Sequence, residues 1–272
     1  MAVEPILRQF AQKHSLYLDK HGKRLAREGA KVTWTDLNGN RHDLDFVIER
    51  GGTAQKLGAP VAFIETAWRR YTKHSRNKAQ EIQGAIDPLF ETYRRYHPFK
   101  GAVLAGEFTL GALTQLKSLG FAVAYFHYET VVEAFAYVGI DARSDEDTPD
   151  AEFAEKCRQW DALDESGKKQ VSTKLTLINA EEIDGFTQAL SKVILRTVKA
   201  VRILPLHGNQ AEWTNVDDAI DYIRDYPERG AYLLLIRYEI QIIYINGDKI
   251  SGEFGDKEAA IEFLKSYSLV NS

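Results

Sequence analysis

The sequence predicts a mixed α/β fold in which a central β-sheet of mixed strand direction is flanked by helices. Three observations carry that expectation. Asn38-Gly39 sits between two extended runs, the strongest short-range hairpin signal. Residues 61–70 and 101–108 read as strands, and 121–128 as a buried strand. Between them, 78–96 and 110–119 carry apolar residues at helical spacing.

The elements follow in order. Residues 4–28 hold no proline after Pro5, are rich in Leu, Ala, Lys and Arg, and end before Gly29, so they read as a helix. Residues 31–37, with Val32, Thr33, Trp34 and Thr35, form the first hairpin arm. The return arm, 42–49, alternates: Leu44, Phe46 and Ile48 on one side, Asp43, Asp45, Val47 and Glu49 on the other. A glycine-bearing loop, 50–60, leads to the 61–70 strand. The next helix has Ile82, Ile86, Leu89, Phe90 and Tyr93 as its inner stripe, and Pro88 predicts a kink or break in it. A strand, a short helix ending at Gly120 and a further strand complete the core.

Beyond about residue 141 the composition changes. The acidic stretch with Pro149 reads as a linker or an exposed helical excursion. Residues 181–201 place Ile183, Phe186, Leu190, Val193, Ile194 and Val198 at helical spacing, as a core helix or a dimer seam. A helix at 216–226, a hairpin with Asn246-Gly247 and a helix at 257–267 follow. The expected division is a core at 1–140 and a helical and small α/β appendage at 141–272.

Composition removes several classes. No apolar run, the longest being 231–236, approaches the roughly 18 residues of a membrane span. The first residues lack a signal-peptide layout, and the lone Cys157 allows no internal disulfide, so the expected setting is cytoplasmic. The histidines form no HxH or HxxxH pair, which argues against a zinc enzyme. Cys157 lies in an acidic stretch unsuited to a nucleophile. Walker A, GxGxxG and GxSxG patterns are absent.

The formal charge of −4 speaks against a general nucleic-acid coat, yet residues 66–100 carry eight basic residues against three acidic ones. Such an uneven spread points to a directed anion site. It adjoins two carboxylates set in apolar strands, Asp45 and Glu65. A lone buried carboxylate costs several kcal/mol, on the order of what a pairing partner must return. Two hard oxygen ligands on neighbouring strands, with waters and a backbone carbonyl (assigned to Thr66), suit Mg²⁺. The alternative is that both acids form structural salt bridges. Residues 67–78 then hold five basic residues and no acid, interleaved with Trp68, Tyr71, Ser75 and Asn77, types that contact phosphate and sugar. Arg69, Arg70, Lys73 and Arg76 are the candidate DNA contacts; a solvated helix face is the plainer reading of the same run.

Helix, hairpin, strand-borne aspartate, loop, apolar strand with glutamate, then helix: over residues 4–128 this order resembles the PD-(D/E)XK nuclease superfamily, which includes many type II restriction endonucleases. The resemblance implies a restriction-endonuclease-like core and Mg²⁺-dependent hydrolysis of DNA phosphodiester bonds. It assigns Asp45 and Glu65 as the metal-binding acids, and double-stranded DNA and a homodimer as partners. Two departures stand out. Leu44 precedes Asp45 where the family has proline, and Ala67 occupies the position of the motif lysine. An alanine cannot stabilise a developing charge, so either the cation comes from elsewhere or the site is impaired. Lys78 borders the inner face of its helix and ranks first, ahead of Lys73 and Arg69. Gln83 is a further polar candidate beside the site, ahead of Gln80. The competing readings are a nuclease-derived module that binds without cutting, which Ala67 favours, and an enzyme acting on RNA or branched DNA.

Overall fold

The computed structural model describes residues 2–206, 208–228, 235–245 and 247–268. Chain contacts divide it into two units, Met1–Leu190 and Ser191–Ser272, a boundary well beyond the 140/141 division expected from composition. Among the described residues no helix is long and apolar enough to cross a membrane.

The first unit is built on a mixed five-stranded sheet, as the sequence predicts. Its strands are β1 (Leu16–Lys20), β4 (Phe46–Arg50), β5 (Ala59–Arg69), β6 (Phe99–Gly106) and β7 (Ala122–His127), in that spatial order. The β1-β4-β5 side is antiparallel and the β5-β6-β7 side parallel. The parallel links are made by α2 (Ser75–Thr92) and α3 (Leu110–Ser118), since parallel neighbours need a crossover. A separate two-stranded ribbon pairs β2 (Val32–Thr35) with β3 (Arg41–Leu44) around the Asn38-Gly39 turn, where Gly39 takes the left-handed φ of +84°. Ile82, Ile86 and Leu89 of α2 are fully buried against Phe63, Val47, Trp34 and Leu104. Each such side chain contributes about 1.5–3 kcal/mol of apolar burial.

Several expectations are corrected. The helix read at 4–28 ends early: α1 covers Glu4–Lys13, Ser15 turns the chain at φ +53°, and β1 follows. Its helix-favouring composition is overridden by pairing with β4, which offers β1 a full antiparallel ladder from Leu16↔Arg50 to Lys20↔Phe46. The return arm 42–49 is two strands in two different sheets, broken at Asp45. Val47 and Glu49, which the alternation groups with Asp43, are fully buried while Asp43 is exposed. Pro88 does not break α2, which runs through it to Thr92; the Thr92 hydroxyl donates to the Pro88 carbonyl. The acidic stretch takes the second of its two readings: α5 (Asp150–Ala162) has no buried residue, and α6 (Glu165–Ile178) follows. Before them, α4 (Tyr128–Ala136) packs on β6 and β7 and meets α6. The amphipathic helix at 181–201 is α7 (Ala180–Ile194), with Phe186 edge-on to Phe99; Val198 opens a strand instead.

The second unit holds a four-stranded antiparallel sheet in the order β11-β10-β8-β9. The strands are β8 (Val198–Pro205), β9 (Ala211–Trp213), β10 (Tyr238–Tyr244) and β11 (Lys249–Phe254). Helices α8 (Val216–Asp225) and α9 (Lys257–Ser268) pack on it and on each other. The sequence had not marked β8 or β9. Asn246 of the Asn246-Gly247 signal and most of the 231–236 run lie outside the described residues, but Tyr244 and Asp248 are joined across the turn by a 2.9 Å hydrogen bond.

One buried ion network secures the first unit. Arg24 donates to Asp19 (2.8 Å) and Glu49 (2.9 Å) and reaches the carbonyls of Thr53 and Lys56; the Gly58 N–H also donates to Glu49 (2.6 Å). Asp19 is also held by Arg27 (3.0 Å), but removing Arg24 leaves the fully buried Glu49 charged and without a cation. Arg24→Ala is therefore expected to lower the stability of the first unit by about 3–5 kcal/mol, read as a shifted urea midpoint. A loss under about 1 kcal/mol would show that the network relaxes into solvent.

Candidate functional site

The bend between β3 and β4 brings Asp45 against the middle of β5. Two reciprocal contacts hold it there. The Asp45 backbone N–H donates to Glu65 Oε1 (3.1 Å), and Asp45 Oδ2 accepts from both the N–H (2.8 Å) and the hydroxyl (2.6 Å) of Thr66. The β4–β5 register explains the meeting: Phe46 faces Ile64, so the residue before Phe46 reaches the residue after Ile64. Glu65 shares its sheet face with Phe63, which is buried against α2.

Neither acid forms an ion pair among the described residues, so the salt-bridge alternative is not what this fold builds. Asp45 Oδ1 and Glu65 Oε2 accept no hydrogen bond from the described residues and remain uncommitted. Glu65 is only 9% exposed. Burial first, then the nearby Asp45 carboxylate, push its pKa up to about 7, against the smaller opposing pull of the Asp45 N–H and the Lys78 charge.

The remaining predicted residues distribute as follows. Thr66, expected to ligate through its carbonyl, touches Asp45 through its N–H and hydroxyl and so orients that carboxylate. Lys78, in the first turns of α2, is near enough to act on Glu65, but its ammonium is held by Glu81 at 3.1 Å. Gln83 is not part of this cluster: its side-chain oxygen accepts from Gln115 of α3 at 3.1 Å. Gln80 is exposed. Ala67 packs against the α2 core, which is why the motif position holds no cation.

The basic run divides in two. Arg69 is half-buried, donating to the Trp68 carbonyl, and its own carbonyl accepts from Glu107 N–H (2.8 Å). Gly106 sits beside that carbonyl, where any Cβ would collide with it. Arg70 lies over Phe153 at 4.8 Å and Tyr71 at 5.4 Å. Lys73, on the short 3₁₀ turn Thr72–His74, and Arg76, in the first turn of α2, are exposed. A cleft of about 620 Å³ opens at this end of β5, with Trp68, Arg70, Tyr71 and Glu81 on one side and Asp150 and Phe153 of α5 on the other. The sequence offered no signal for Phe153, an aromatic in an acidic helix without a periodic apolar face.

No group of three His, Cys, Asp or Glu side chains gathers among the described residues. What is present is a two-carboxylate donor set with one free oxygen on each acid and a buried charge in need of a counter-charge. That combination fits a hard divalent ion keeping several waters. No family model matches the sequence, and no curated protein matches it. A crystal structure of a protein of unknown function aligns over 69% of this chain and 95% of its own, at 11% identity and a TM-score of 0.28, too low to bear on fold or function.

The Glu65 shift has a sign that can be tested. Its folded pKa lies above the ordinary carboxylate value of 4.5, so the folded state holds the proton more tightly. Its burial costs nothing below about pH 4.5, and the cost grows until pH passes about 7. Glu65→Gln is expected to match the parent near pH 5 and to exceed it by up to about 3 kcal/mol at pH 8 in the absence of divalent metal. Mg²⁺ added to the parent should narrow that gap. Parallel stability–pH curves for the two proteins would show that Glu65 is not the buried, proton-binding group.

Proposed function

We propose that this chain is a Mg²⁺-dependent endonuclease that hydrolyses DNA phosphodiester bonds. The observation that carries the reading is the convergence of Asp45 and Glu65, each with one oxygen uncommitted, beside a basic segment that runs from the end of β5 into the start of α2. Asp45 and Glu65 would hold the ion. When bound, it would lower the pKa of a water and neutralise charge on the phosphoryl group. Thr66 keeps Asp45 aimed at that position, and the buried face around Glu65 excludes bulk water, which strengthens every local charge interaction. Lys78 supplies the mobile cation absent at Ala67. Arg70, Lys73 and Arg76 are the phosphate contacts, with Arg69 behind them because its side chain is half-buried.

A restriction-type role and a two-fold dimer on double-stranded DNA belong to this proposal through the resemblance alone, and a cytoplasmic setting through the sequence features given above. The second reading, a DNA-binding module that does not cut, is favoured by Ala67 and by the capture of Lys78 on Glu81. Nuclease assays on mixed DNA with Mg²⁺ or Mn²⁺ separate the two. The parent should cut, and Glu65→Ala should lose about a thousandfold or more, the equivalent of several kcal/mol. Binding without cutting, across both metals and diverse sequences, favours the module. Within the enzyme reading, Lys78→Ala should slow cutting by roughly a hundredfold; an unchanged rate removes Lys78 from the site.

The phosphate contacts predict a salt effect. Lys73→Ala and Arg76→Ala should each reduce the slope of log K against log[salt] by about one counterion. An unchanged slope would exclude that residue from the interface.

A further inference from the structure

The cleft beyond the carboxylate pair has a chemistry that phosphate binding does not explain. Its volume of about 620 Å³ lies within the range of pockets that enclose a nucleotide-sized ligand. Its lining is not a cationic channel: the charges of Arg69 and Arg70 are balanced by Glu81 and Asp150. What it presents instead is aromatic surface. Trp68, stacked on Tyr128 at 6.0 Å, is still 42% exposed, Phe153 on a second element is 40% exposed, and Tyr71 adds a third ring. The Arg70 guanidinium lies over both Tyr71 and Phe153, the planar cation that stacks as readily as a ring. Hydrogen-bonding groups complete the lining: Asn77 can donate and accept, and Glu81 and Asp150 accept.

Flat faces, a neutral charge balance and mixed donors and acceptors match a nucleobase. A paired duplex hides its base faces in the stack, so such a pocket has nothing to grip on an intact helix. The cleft and the carboxylate pair share two elements: β5 carries both Glu65 and Trp68, and on α2 Glu81 in the cleft wall pairs with Lys78. We propose that this cleft receives an unpaired nucleobase, and that the substrate of the carboxylate site is therefore DNA with a single-stranded or frayed segment beside the scissile bond. The proposal rests on the phosphodiesterase reading above for its scissile bond, but its binding test does not.

The test is fluorescence anisotropy of the full chain in EDTA at one fixed low salt concentration, so that no cutting occurs. The probes are a labelled thymidine oligonucleotide of about 12 nucleotides, within the usual single-strand site size, and a closed hairpin duplex. The single strand should bind about tenfold tighter than the duplex. Phe153→Leu and Tyr71→Leu keep apolar bulk but remove the ring face; each should weaken the single strand by roughly fivefold or more and leave the duplex unchanged. Equal loss on both probes, no loss on either, or a duplex that binds as tightly as the single strand overturns the proposal. Should a leucine variant fold poorly, the unmodified protein gives an independent readout. The single strand should quench tryptophan fluorescence saturably, and Trp68→Phe should abolish the quench; a quench that persists in that variant overturns the assignment. A protein that shows this preference yet never cuts refutes the nuclease reading alone. One that cuts without the preference refutes the cleft alone.

Discussion

A single peptide unit governs the geometry of the candidate site. The β-structure breaks at Asp45, between β3 of the ribbon and β4 of the central sheet, and a break inside a core leaves backbone groups in need of partners. Glu65 takes the Asp45 N–H, and Asp45 in turn takes the N–H and hydroxyl of Thr66. Each acid thus satisfies the other's strand. The clasp fixes the bend and, by the same contacts, holds two carboxylates side by side. Without it the ribbon would have no fixed exit toward the sheet, and the two acids would have no reason to meet.

The protein supplies its own control for what a buried carboxylate looks like when its role is structural. Glu49 is two strand positions beyond Val47 on the face that carries Asp45 and Glu65, and it is fully buried. It is also saturated, with Arg24 on both oxygens and the Gly58 N–H besides. Glu65 receives one backbone N–H and no cation. A buried acid without a counter-charge raises its pKa until a proton or another cation supplies the missing charge. The same sheet therefore neutralises one acid internally and leaves its neighbour to be neutralised from outside.

What the sequence made legible followed from periodicity and from misplaced charge. Glu65 stands out because Val61-Ala62-Phe63-Ile64 precedes it, and Asp45 because apolar residues flank it. Strand spacing alone then puts them within reach once the strands are neighbours. The rest depended on long-range pairing. Residues 16–20 carry helix-favouring types, and only β4, some thirty positions on, makes them a strand. Alternation groups Glu49 with Asp43 only if it continues through the bend, and the break at Asp45 puts the two in different sheets. Phe153 entered the cleft from a helix more than eighty positions from β5, and no local pattern marks such a contact. Gln83 lies near the stripe in sequence, and its side-chain oxygen accepts from Gln115 of α3, a long-range contact that no local pattern marks.

The cation at the site turns on a comparison of magnitudes. Position 67 faces the packed core between β5 and α2, so a lysine there would bury its charge beside apolar side chains or disrupt their packing. Lys78 approaches from the helix instead, 23% exposed, and its partner Glu81 is 60% exposed. An ion pair as open as that is worth about 0–1 kcal/mol. A charge-assisted hydrogen bond to an anionic phosphate oxygen is worth roughly 1.5–3 kcal/mol. Glu81 therefore holds Lys78 only loosely, and the ammonium is free to exchange that partner for a stronger one.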